Sequence, residues 1–102
     1  MKTLSSQAGE VAFGTLKGIK LYDFSGDKSI RIYFHSGATY VNEACVHDGR
    51  PIAVINKVNH GFTIDRMLSM LLSAQMAGKK VRVHAEGDDC EVGFIAIQDM
   101  LF

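Results

Sequence analysis

The stretch TIDRMLSMLLSAQMA (Thr63–Ala77), followed by GKK (Gly78–Lys80) and VRVHA (Val81–Ala85), changes its hydrophobic period from 3.6 to two within a few residues. Ile64, Met67, Leu68, Leu71 and Ala74 recur at helical spacing. Thr63 stands where an N-cap would, and Asp65 sits in the first turn, where a carboxylate complements the helix dipole. Gly78 supplies the C′ stop. Beyond it, Val81, Val83 and Ala85 alternate with Arg82 and His84, the period of a strand with one buried face. A turn over Glu86, Gly87, Asp88 and Asp89 and then Cys90 lead into a second apolar strand. In that strand Val92, Phe94 and Ala96 are expected on one side, Ile95 and Ile97 on the other.

Upstream of the helix the period is two. Val11, Phe13 and Thr15 alternate with small or polar neighbours, and after Lys17-Gly18 the phase restarts at Ile19 and Leu21. A glycine at such a break predicts a bulge in one long bent strand. Ser25 to Lys28 reads as a turn. In the next strand Ile30, Ile32 and Phe34 face inward, with Arg31, Tyr33 and His35 outward. Ser36-Gly37 turns the chain into a strand over Thr39–Cys45, His47-Asp48-Gly49 turns it again, and Arg50–Val58 is the next strand, with Pro51 near its start. This order predicts one domain, residues 1–102, mostly β with one α-helix: an OB-like antiparallel β-barrel. The alternative is an open α+β sheet with one helix. Residues 1–9 are expected to be flexible.

Eleven basic and eleven acidic residues balance to zero net charge, which argues against a nucleic-acid partner, since such binders carry a basic stripe. No apolar run approaches the roughly 18 residues of a membrane span, so membrane insertion is not expected. Met1–Gly9 contains no apolar segment that reads as a signal peptide. The chain is therefore cytoplasmic, or exported or periplasmic with a leader already removed.

At 100° steps, Asp65, Arg66, Ser69 and Ser73 cover an arc of only about a hundred degrees. Leu72 and Met76 flank or enter that arc, and Met70 widens the apolar side. A helix packed on one sheet needs one stripe; two stripes suit a helix that also meets a neighbouring subunit. A homo-oligomer is expected, with Met70, Leu72, Met76, Ile95 and Ile97 at its interface and Met100, Leu101 and Phe102 adding apolar bulk at the end of the chain. The plainer alternative is a deeply buried helix.

Residues with chemistry are few. Cys45 and Cys90 are bonded to each other, are two buried thiols, or join His47 and His84 in a zinc set whose spacing lacks a CxxC knuckle. Bonded, they would close nearly half the chain, and the chain-entropy model gives roughly 4 kcal/mol for such a loop. Cys45 and His47 would share a strand face, but nothing supplies an oxyanion hole, so no catalytic residue, metal or cofactor is assigned. Gly26-Asp27-Lys28-Ser29 lacks the rest of a phosphate loop and reads as a hairpin turn. Sugars present an apolar face ringed by hydroxyls, so exposed aromatics beside short polar groups are the ligand candidates: Tyr22, Asp23 and Ser25, and Tyr33 with His35. The ordinary alternative is that these tyrosines serve strand propensity and cross-strand packing.

The segment from the helix through Ala77-Gly78-Lys79-Lys80-Val81-Arg82-Val83, a short acidic turn, Cys90 and Gly93-Phe94-Ile95-Ala96-Ile97 resembles a family of small, usually exported, mostly uncharacterised bacterial proteins. Asn42-Glu43-Ala44-Cys45 and Gly14–Ile19 extend the likeness to roughly residues 12 to 98. More distantly, Gly78–His84 after a helix is similar to the B subunits of subtilase-type and typhoid-type toxins, OB-fold pentamers that bind cell-surface glycans. The resemblance implies a Cys45–Cys90 disulfide, an OB-like barrel and ring assembly with sugar binding, and it carries over no binding residue. The expected function is a non-enzymatic binding or assembly module, an oligomeric glycan- or cell-surface-binding subunit. The alternatives are a cytoplasmic protein-interaction protein and, behind it, a small enzyme or an OB-type nucleic-acid binder.

Overall fold

The computed structural model describes residues 9–85 and 89–100, without the side chain of Asn59. Expectations for residues 1–8, for the turn at 86–88 and for Leu101 and Phe102 lie outside the described residues. Seven strands are described: β1 (Glu10–Gly14), β2 (Leu16–Phe24), β3 (Asp27–Phe34), β4 (Val46–His47), β5 (Arg50–Asn56), β6 (Val81–Ala85) and β7 (Val92–Ile97). A single helical turn, α1 (Lys57–His60), and the long helix α2 (Thr63–Ala77) separate β5 from β6. The chain is mostly β, in two antiparallel sheets ordered β1-β6-β7 and β2-β3-β5-β4.

The alternation in β3 places Ile30, Ile32 and Phe34 in the core. They pack with Val11, Leu16, Ala53, Ile55, Val81, Val83 and, from α2, Leu71 and Ala74. The register of β2 on β3 slips between Leu16 and Gly18, the bulge expected at that glycine. Just before it, at Thr15, the chain passes from one sheet to the other, since β1 pairs β6 and β2 pairs β3. Among the described residues two isolated bridges lie outside these strand pairs. Phe13 and Thr39 exchange both backbone hydrogen bonds at 2.8 Å, and Val54 forms a parallel bridge with Glu91. Cys45 and Cys90 are disulfide-bonded, with Cα atoms 5.8 Å apart, so neither is a free thiol or a thiolate ligand.

Four local expectations need correction. Thr39–Cys45 is not a strand. Thr39 pairs with Phe13, but the next hydrogen bond to β1 comes from Asn42 N–H to Val11 O (3.0 Å), three residues on for two on β1. The extra residue makes a bulge, and Tyr40 absorbs it at φ 52°, a left-handed conformation that costs a bulky side chain about 1–2 kcal/mol. Asn42 Oδ1 then accepts from Ala44 N–H (3.0 Å) and starts the 3-10 turn Glu43–Cys45. β5 ends at Asn56, not Val58, by the same device: Asn56 Oδ1 accepts from Val58 N–H at 3.0 Å.

Thr63 is not the N-cap. Phe62 holds that position, and the Thr63 hydroxyl donates to His60 O at 2.6 Å from inside the helix. At the other end Gly78 is left-handed as expected (φ 68°). Lys79 N–H bonds Ala74 O and Gly78 N–H bonds Gln75 O, the paired bonds of a Schellman stop. In β7, Ala85 pairs with Val92 but His84 with Phe94, so Gly93 is bulged and the phase flips. Val92, Ile95 and Ile97 therefore stand opposite the buried Ala85, Val83 and Val81, while Phe94 and Ala96 share the outer side.

Candidate functional site

Because β3 turns Ile30, Ile32 and Phe34 inward, Arg31 and Tyr33 must point out, and register sets their neighbours. Lys20 lies opposite Arg31, Tyr22 opposite Ser29 and Gly18 opposite Tyr33 on β2; Val54 and Ile52 lie opposite Arg31 and Tyr33 on β5. The Arg31 guanidinium sits 4.3 Å from the Tyr22 ring centroid and bonds Asp27 at 2.8 Å. Lys20 Nζ lies 4.9 Å from the Tyr33 centroid. Partial burial raises the pKa of the Tyr33 hydroxyl above its ordinary value of 10.0, and the neighbouring Tyr22 hydroxyl raises it further.

Of the sequence candidates, Tyr22 and Tyr33 thus belong to one surface, and the other three do not join them there. Asp23 lies on the opposite side of β2, where Lys28 (2.7 Å) and Lys57 (3.6 Å) approach its carboxylate. The Lys28 hydrogen bond, with that charge beside it, holds the Asp23 carboxyl below its ordinary pKa. Ser25 is in the hairpin turn and lines a depression of about 310 Å³ with Asp27, Arg31, Asn56 and Val58. His35 follows β3 into solvent and donates its backbone N–H to Thr15 O at 3.0 Å. One face of the Tyr22 ring and one of Tyr33 already carry a cation, so this surface offers a ligand a band of hydroxyls and positive charge more than bare stacking faces.

A second polar cluster was not foreseen. On the outer face of the smaller sheet, Glu10, its side chain only 7% exposed, receives Arg82 Nη2 at 3.1 Å and Nε at 3.2 Å. His84 Nδ1 lies 3.4 Å from the same carboxylate, and its ring meets Phe94 edge-on at 6.3 Å. A histidine held by a carboxylate beside a depression is what an acid–base enzyme would require. Here the other ring nitrogen lies over Gly9, where an added Cβ would collide with it, while the ring lines a depression of about 240 Å³ with Arg82 and Phe94. Arg82 and His84 were legible as outward residues of β6, but nothing in the sequence tied them to Glu10. Among the described residues no three His, Cys, Asp or Glu side chains converge to hold a metal.

The proposed interface residues divide. Leu72 (44% exposed) and Met76 (88%) lie one turn apart on one flank of the buried α2 stripe, and Met70 (37%) lies on the other. Ile97 is exposed at the sheet margin, whereas Ile95 packs partly against the core. Phe62 and Val58, just before the helix, are also exposed.

No family model, no curated protein and no solved structure matches the chain.

Proposed function

We propose that this chain is a non-enzymatic binding module that assembles with copies of itself and recognises an oxygen-rich ligand of the cell-surface glycan class. An OB-like barrel is supported by strand order: the bent β1–β2 pair, then β3, β5, a helix, β6 and β7. The parallel Val54–Glu91 bridge brings the β5 edge to the β7 edge, and β6 returns to β1. The observation that carries the assembly reading is the second apolar stripe of α2. Leu71 and Ala74 are fully buried within the subunit, yet Leu72 and Met76 remain in solvent. Two large apolar side chains one turn apart on an exposed helix flank are what a contact with another subunit would cover. Ligand binding is supported by the outward hydroxyl and cation band of Tyr22, Tyr33, Lys20 and Arg31.

The test is light scattering on the purified chain together with binding to an immobilised glycan panel. A stable multimer with carbohydrate signal supports the reading. A multimer without any signal turns it to a protein-assembly role, and a monomer without signal removes it.

A further inference from the structure

We infer that the depression beside Tyr40 is a second ligand site, separate from the Tyr22–Tyr33 surface and built for one ring of an uncharged sugar; this rests on the binding-module reading and goes beyond it. Tyr40 is the reason to look there. Thr39 is tied to Phe13 and Asn42 to Val11, and the residue left over between them is a tyrosine at φ 52°, where glycine would fit without penalty. A bulky residue kept in a strained position next to a cavity is a mark of function. Its side chain stays 43% exposed at the wall of a depression of about 350 Å³. That volume lies at the low end of ligand sites, which run from roughly 300 to 1,000 Å³, and suits a single ring.

The lining has the two chemistries a pyranose requires. Val46, Pro51 and the Tyr40 ring are apolar, and Ser36, Thr39 and Glu43 are polar. The Thr39 hydroxyl makes only a long 3.4 Å bond to Phe13 O, and among the described residues no protein group bonds Ser36 Oγ, the Tyr40 hydroxyl or the Glu43 carboxylate. Among the described residues of the lining Glu43 is the only charged one. A lone carboxylate accepts hydrogen bonds from sugar hydroxyls and repels a carboxylated or sulfated sugar, so the ligand class is neutral. The Cys45–Cys90 bond and the 3-10 turn that follows Asn42 hold Glu43 in place, so the site is preformed.

The experiment is a titration of the ¹⁵N-labelled full chain with methyl glycosides of neutral hexoses and with an acidic sugar as control, repeated on Tyr40→Gly and Glu43→Gln. Amide shifts at Ser36, Thr39, Tyr40 and Glu43 with the neutral glycosides alone are expected. Tyr40→Gly should weaken binding about tenfold or more while its melting temperature holds or rises, because the strain is relieved. That split separates a binding role from a structural one. Shifts confined to Lys20, Tyr22, Arg31 and Tyr33, or undiminished binding by Tyr40→Gly, overturn this site but leave the module reading standing. No shift with any sugar overturns both.

Discussion

The backbone N–H of Val54 donates to the carbonyl oxygen of Cys90 at 2.9 Å, and the Cys90 sulfur is bonded to Cys45. A single parallel bridge between β5 and the start of β7 is thus stapled at the same residue. One hydrogen bond in an isolated bridge is worth only about 1 kcal/mol net, so the covalent link is the stronger of the two. Replacing both cysteines by alanine is expected to lower unfolding free energy by about 2–5 kcal/mol in urea titrations. Amide exchange at Val54 should accelerate more than at Ile30 in the centre of the larger sheet. Equal acceleration at both would mean that the bond does not hold the sheet junction.

Gly78 ends α2 in a left-handed conformation, and an added Cβ there would meet open space. Gly78→Ala should therefore cost only the conformational term, about 1 kcal/mol, and lower the melting temperature by several degrees, with Gly78→Asn milder. A loss of several kcal/mol would point to a packing role that the structure lacks.

These two features were legible to different degrees. The α2 stop, the β3 alternation and the Gly18 bulge follow from local patterns, because a glycine or a period of two acts within a few residues. Thr39–Cys45 misled because Tyr40 and Val41 favour strands, whereas the outcome is decided by which residues β1 bonds. Asn42 two residues before Ala44 was the available signal, since such side chains cap their own backbone. The Gly93 phase flip and the Glu10–Arg82–His84 cluster depend on pairing across the chain, and no local pattern encodes it.

Tyr33 titrates above the ordinary tyrosine value because partial burial, with the Tyr22 hydroxyl beside it, favours its neutral form. A raised pKa contributes stability that is fully present below the unfolded value near 10 and is lost as pH rises through the folded one. Phenolate absorbance should show Tyr33 ionising above its ordinary value, and Tyr22→Phe should move it part of the way back. A Tyr33 that ionises at its ordinary value, or one unmoved by Tyr22→Phe, would contradict this.

Glu10 is almost wholly buried against Arg82, which is itself 21% exposed. Arg82→Met strands a buried carboxylate and should cost about 3–5 kcal/mol, less whatever His84 recovers. Glu10→Gln leaves a partly hydrated guanidinium and should cost about 1–2 kcal/mol. Denaturant unfolding of the two variants checks the order, and a reversed order would show that Arg82 depends on Glu10 more than Glu10 depends on it.

The most direct test of the account is the solution mass of the chain with and without the exposed flank of α2. Sedimentation equilibrium should give a multiple of the single-chain mass for the wild type. Leu72→Asp with Met76→Asp should give a monomer whose circular dichroism is unchanged, since neither side chain belongs to the buried core. A wild type that stays monomeric at high concentration, or a double variant that assembles as before, would contradict it.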